Sequence, residues 1–197
     1  MKTIPRASLL SAAVVACSFV ALARDCPSAS AEPPFRLTSA SFAAGKDIPQ
    51  RHTCEGADVS PPLAWNGAPQ GTKSFALVID DPDAPDPNAP KTTFVHWVLY
   101  DVPANVTTLP EAVTPASLPK GAREGKNDFK QVGYKGPCPP VGEHRYFHKV
   151  YALDVVLPDL QQPDKAKLED AMRGHVLNQA ILIGKYQKRG NKPASTY

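Results

Sequence analysis

Apolar and polar positions along the chain fall into short runs that suit strands better than helices. "KSFALVID" (73–80) is almost continuously apolar, which predicts a strand buried on both faces. "FRLTSASF" (35–42) and "TTFVHWVLYDV" (92–102) alternate. In the second, a period of two predicts Phe94, His96, Val98 and Tyr100 on one face and Val95, Trp97 and Leu99 on the other. "HRYFHKVYALDVVL" (144–157) is the longest strand candidate, rich in β-branched and aromatic residues. Helical spacing is convincing once. Asp164 can cap after Pro163, and Leu168, Met172 and His175 follow through "KAKLEDAMRGHVLNQ" (165–179), before "AILIGKYQK" (180–188) returns to extended chain. Many strands, turn-rich connections and one late helix predict a mainly β fold, an antiparallel β-sandwich with a C-terminal helical segment.

The N-terminus has a different pattern. Lys2 and Arg6 precede the apolar run "ASLLSAAVVACSFVALA", and "RDCPSASA" follows, ending in small residues. This predicts a signal peptide over residues 1–31, cleaved after Ala31, and a single domain over residues 32–197. Cleavage after Ala23 also fits the small-residue rule, and "VVAC" raises lipoprotein processing at Cys17 as an alternative. The expectation is a periplasmic or secreted protein, or one anchored by lipid. Removing residues 1–31 takes away Lys2, Arg6, Arg24 and Asp25 and lowers the formal net charge from +3 to +1. The basic character therefore belongs partly to the targeting segment, and no nucleic-acid footprint remains. "KGAREGKNDFK" (120–130) interleaves bases with acids and predicts a solvated loop.

With the leader gone, two cysteines remain, Cys54 and Cys138. They have no short metal spacing, and an exported pair far apart in sequence favours a disulfide, with two free thiols as the alternative. The 22 prolines and 12 glycines of 197 residues stay below the ~25–30% that marks disorder. Trp65 and Trp97 are expected in the core, and His175 in a packing or capping bond.

Prolines cluster in two loops beside long strands. "DPDAPDPNAP" (81–90) follows the first buried run, and "GYKGPCPPVGEHRYF" (133–147) leads into the longest one. Proline fixes φ and lacks an N–H, so both loops are stiff and can hold a side chain in one place. If neighbouring strands bring these ends together, Asp81, His96 and His144 converge. Three chemistries compete for that constellation. A metal site lacks H-x-H or H-E-x-x-H spacing. A hydrolase lacks an obvious activated nucleophile, since Ser60 in "ADVSPPLAW" has no G-x-S-x-G elbow. An anion pocket would use imidazole and backbone N–H donors walled by prolines and aromatics.

"DPDAP" (81–85), "FVHW" (94–97) and "GPCPPVGEHRY" (136–146) together resemble the two signature regions of the phosphatidylethanolamine-binding protein family. "HTCEGADVSPPLAW" (52–65) and "AMRGHVLNQAILIGKY" (171–186) are similar to its bacterial, Raf-kinase-inhibitor-like branch, and the resemblance covers nearly all of residues 35–190. It implies a β-sandwich with a small cavity for anionic head groups such as phosphate or phosphorylethanolamine, with no cofactor, no metal and no catalytic residue. The implied ligand-binding positions are Asp81, Pro85, Phe94, His96, Gly136, Pro139, His144 and Tyr146, with Asp83 bracing its loop through nearby backbone N–H groups. Cys138 stands where eukaryotic members usually have glycine, Phe94 replaces a tryptophan, and the loop from Pro140 to His144 is shorter, which implies a narrower pocket. An inhibitory contact with a protease or kinase-like partner through the pocket rim is the implied alternative, and a phosphoester hydrolase the third reading.

Overall fold

The structure, a computed structural model, describes residues 33–191. The export signal expected over 1–31, with Cys17 and both cleavage positions, lies outside the described residues. The strands in chain order are β1 (Arg36–Thr38), β2 (Leu63–Asn66), β3 (Ser74–Asp81), β4 (Phe94–Pro103), β5 (Thr108–Leu109), β6 (Arg123–Glu124), β7 (His144–Leu153) and β8 (Val176–Tyr186), with the helix α1 (Lys165–Met172) between β7 and β8. They form a five-stranded sheet in the order β6-β4-β3-β7-β8 and a three-stranded sheet in the order β1-β2-β5. Every pairing between these strands is antiparallel.

β3 lies at the centre of the larger sheet and all of its residues are buried. On one face Phe75, Leu77 and Ile79 pack with Leu37, Leu63 and Trp65 of the smaller sheet. The Trp65 ring meets Phe75 edge-on at 5.3 Å. On the other face Ala76 and Val78 join Val98 and Tyr100 beneath Leu157, Leu160, Leu168 and Met172. Burial on both sides is why this strand reads as an uninterrupted apolar run. Trp65 and Trp97 are core residues, as expected.

β4 does not keep a simple alternation. Ile79 pairs with Trp97 but Asp80 pairs with Val95, so His96 is an extra residue, a β-bulge. A second irregularity lies between Leu99 and Val102, where Asp101 has φ 56°. The bulge at His96 reverses the phase of the strand end. Val95 joins Val98 and Tyr100 under the helix, while Phe94 and His96 turn to the opposite side. The expected grouping of Phe94 and His96 with Val98 and Tyr100 is therefore corrected.

Other boundaries also move. β1 is shorter than the run 35–42, because Ser39 Oγ donates to the Pro62 carbonyl and accepts from the Ser41 N–H, turning the chain. β7 stops at Leu153 rather than 157. The Asp164 side chain caps α1 by accepting from the Lys167 N–H, as expected, but the helix ends at Met172. Gly174, at φ 81°, turns the chain directly into β8. His175 thus lies outside the helix and its Nδ1 meets Asp154 Oδ1 at 2.9 Å.

Candidate functional site

The two proline loops meet at one end of the larger sheet. Asp81 is the last residue of β3, and its Oδ1 accepts from the Asp83 N–H at 2.8 Å, closing a turn over Pro82. Asp83 in turn accepts from the N–H of Arg145 and, in a fork, from its Nε and Nη2 at 2.7–2.9 Å. This bidentate clamp ties the first loop to the start of β7 and holds the Asp83 carboxyl below its ordinary range. Asp83 does brace the loop, but through Arg145; the local turn bond belongs to Asp81. Gly142 has φ 70°, and a Cβ there would lie 3.0 Å from Pro87 Cγ, so the two loops abut where only glycine fits well.

A cavity of about 180 Å³ lies between them. Asp81, Pro85, Phe94, His96, Pro139, His144 and Tyr146 line it, together with Ala84, Phe129, Cys138 and Pro140. Gly136 is outside the lining: its N–H donates to Asp58 Oδ1 at 2.7 Å, and a Cβ would collide with the His52 carbonyl at 2.3 Å. It lets the second loop press against the segment 52–58. Three more ties join those two stretches. The Tyr134 hydroxyl donates to the His52 carbonyl at 2.6 Å, Cys54 N–H donates to the Pro137 carbonyl at 3.1 Å, and Lys135 pairs with Asp58. The Cys54–Cys138 disulfide, with Cα atoms 5.4 Å apart, is the fifth.

The three polar side chains of the constellation do converge. His144 is fully buried, with Nδ1 2.7 Å from Asp81 Oδ2 and Nε2 2.9 Å from the Val141 carbonyl. Both ring nitrogens face acceptors, so filling both bonds takes two protons held within the Asp81–His144 pair. The expectation that His144 donates to a ligand does not match this arrangement; it joins the two loops instead. His96 donates from Nδ1 to the Lys135 carbonyl at 2.7 Å, leaving Nε2 as the nitrogen available to a ligand. Burial depresses its pKa, against the opposing pull of the Lys135 carbonyl and Asp81, so the ring is neutral near pH 7. Tyr146 is fully buried, 5.2 Å from the His96 ring, and its hydroxyl makes no close hydrogen bond, although the Asp81 carboxylate is near enough to attract its proton. Burial first, and then the nearby Asp81 carboxylate, hold the phenol protonated.

Phe129 completes the aromatic wall, with ring centroids 4.9 Å from Phe94 and 5.6 Å from His96. It comes from the stretch expected to be a solvated loop. That stretch is in fact anchored: Asp128 Oδ2 accepts from the Val95 N–H and Asn127 is buried. One aromatic among charged residues was the available signal. Ser60 is far from the reading of a nucleophile, since its Oγ accepts from the Val113 N–H. Among the described residues, no group of three His, Cys, Asp or Glu side chains is placed to hold a metal ion, and no helix is long and apolar enough to cross a membrane.

Similarity to known proteins agrees with this architecture. The model of the phosphatidylethanolamine-binding protein family matches residues 38–187. A UPF0098 protein of Methanothermobacter thermautotrophicus is 48% identical over 142 residues, covering 72% of this chain and 91% of that protein. One from Aquifex aeolicus is 46% identical over 155 residues, 76% of this chain and 86% of the other. The crystal structure of Escherichia coli YbcL, described as a member of the mammalian PEBP family, superposes with a TM-score of 0.72 at 34% identity, covering 79% of this chain and 99% of its own. A phosphatidylethanolamine-binding protein homologue from Chlamydia trachomatis gives the same TM-score at 38% identity, over 78% of this chain and 97% of its own. Fold, signature loops and sequence identity lead to one conclusion: the chain belongs to the phosphatidylethanolamine-binding protein family.

Proposed function

We propose that this family member is an exported, non-enzymatic binding protein whose pocket takes a small anion, a phosphate or a phosphorylated head group. The observation that carries the reading is the Tyr146 hydroxyl, buried at the cavity with no close protein partner. A ligand oxygen accepting from it makes a hydrogen bond that contributes about 0.5–1.5 kcal/mol, or about 1.5–3 kcal/mol when the acceptor is charged. The cavity, at about 180 Å³, is below the ~300–1,000 Å³ of drug-sized sites, which suits a head group rather than a whole lipid. Binding without catalysis fits the side chains present. Cys138 is in a disulfide, Ser60 is bonded elsewhere, and both His144 nitrogens are engaged. Export fits the disulfide, which persists in oxidising compartments, and the N-terminal pattern of residues 1–31. Exposed Val141, at 49%, with Pro85 and Pro140 around the mouth, favours a second reading in which the rim contacts a protease or other protein.

Calorimetric titration of the mature protein with inorganic phosphate and with phosphorylethanolamine tests the first reading. Saturable one-site binding supports it, and co-purification of a stoichiometric protein without any anion binding would replace it with the second. N-terminal sequencing of the exported form, expected to begin near Glu32, tests the localisation; an acylated Cys17 would make it a lipoprotein.

A further inference from the structure

The hydrogen-bonding groups of the pocket are unevenly divided. The Tyr146 hydroxyl is a donor with no close acceptor, beside the Asp81 carboxylate. Against it stand two acceptors: the Asp81 carboxylate, whose oxygens each receive one bond and have a second lone pair, and His96 Nε2, a lone pair in the ring whose Nδ1–H is committed to Lys135. Two further candidate donors are occupied. Both His144 nitrogens face acceptors and the Gly136 N–H belongs to Asp58. Pro85, Pro139 and Pro140 form the walls and have no N–H to offer. The nearby cations are held by carboxylates of their own, Arg145 by Asp83 and Lys135 by Asp58.

We infer that the pocket selects oxyanions that carry a proton, phosphate monoanions and singly ionised phosphomonoesters, over fully ionised oxyanions such as sulfate. This rests on the anion-pocket reading and sharpens it. A singly ionised phosphomonoester brings one O–H to Asp81 or His96 Nε2 and an oxygen to Tyr146, and the inorganic phosphate monoanion, with two O–H groups, can serve both acceptors. Sulfate brings only acceptors. It leaves Asp81 and His96 facing lone pairs. A site built to receive an O–H discriminates strongly against an analogue that lacks one. The groups facing the ligand are Asp81 from β3, His96 from β4, and His144 and Tyr146 from β7, with the Asp83–Arg145 and Lys135–Asp58 pairs behind them. A phosphomonoester loses its second proton near pH ~6, so its binding strengthens as pH falls through that value while the protein stays folded.

The test is calorimetric titration of the whole mature protein at about pH 6 with inorganic phosphate and with sulfate, on wild type, Asp81→Asn and Tyr146→Phe, with thermal unfolding as the check on fold. Phosphate should bind at least about tenfold tighter than sulfate to wild type. Asp81→Asn replaces an acceptor with an amide that can donate, so the ratio should fall towards one. Tyr146→Phe should weaken both ions and leave the ratio standing. If Asp81→Asn does not fold, His96→Gln, which also places an amide donor in the pocket, should narrow the ratio. Equal affinity of wild type for both ions, with both weakened by Tyr146→Phe, would overturn the selectivity while leaving an anion pocket in place. Failure of both ions to bind would overturn the pocket reading and the selectivity with it.

Discussion

His144 Nδ1 lies 2.7 Å from Asp81 Oδ2, and the Val141 carbonyl lies 2.9 Å from the other ring nitrogen. One fully buried imidazole thus joins the end of β3 to the loop that precedes β7. Removing one partner of a buried charge-bearing pair leaves the other without compensation, which costs about 3–5 kcal/mol. His144→Ala should therefore lower the urea midpoint by the equivalent of about 3–5 kcal/mol, and lose anion affinity through a loosened loop. A stability change below about 1 kcal/mol would show that the pair does not hold the loops together.

The disulfide adds a covalent tie between the segment 52–58 and the pocket wall, across a sequence separation of 84 residues. Chain-entropy reasoning gives about 4–5 kcal/mol for a loop of that length. A Cys54→Ser/Cys138→Ser variant should unfold at correspondingly lower denaturant and bind phosphate more weakly, since Cys138 is part of the lining. Unreduced peptide mapping of the protein should find the two cysteines in one linked pair.

Acid should destabilise the fold through His148. This histidine is buried against Phe42, and desolvation pushes its pKa down to about 4. An unfolded histidine titrates near ~6.5, so the unfolded chain binds the proton first as pH falls. The contribution is fully present above ~6.5 and is lost as pH drops towards 4, a total of about 3 kcal/mol. His96, also lowered by burial, acts in the same sense. Asp101 and Glu124, whose carboxyls burial pushes up, act oppositely. The difference between wild type and His148→Gln isolates the effect: the variant should lose less stability between pH 7 and pH 4.5. Parallel pH profiles for the two proteins would exclude His148 as the source.

Much of this was legible before any coordinates. β3 could be read because a strand covered on both faces needs an unbroken apolar run, and the start of α1 because Asp164 stands where a cap must. The proline loops pointed to Asp81, His96 and His144 because stiff segments beside strand ends hold side chains still. The bulge at His96 was not legible: one extra residue in β4 leaves no mark on composition, yet it decides which way Phe94 and His96 face. Phe129 was hidden because its neighbours are charged and the contacts that bury it are long-range. Gly136 belongs to the signature yet packs on the segment 52–58, a role that depends on a contact from far upstream. The divided duties of the two histidines follow from which carbonyls happen to lie beside their rings, which only the assembled loops reveal.

Tyr146 allows the most direct test of the central claim, because a functional orphan and a structural one respond in opposite ways. Its hydroxyl is buried with no close protein partner, so Tyr146→Phe should leave stability unchanged or raise it by about 1 kcal/mol. The same change removes the donor offered to an anion. Titration calorimetry with inorganic phosphate, paired with urea unfolding of both proteins, should show affinity falling about tenfold or more in the variant while its midpoint holds or rises. Unchanged phosphate affinity in a folded Tyr146→Phe protein would contradict the account.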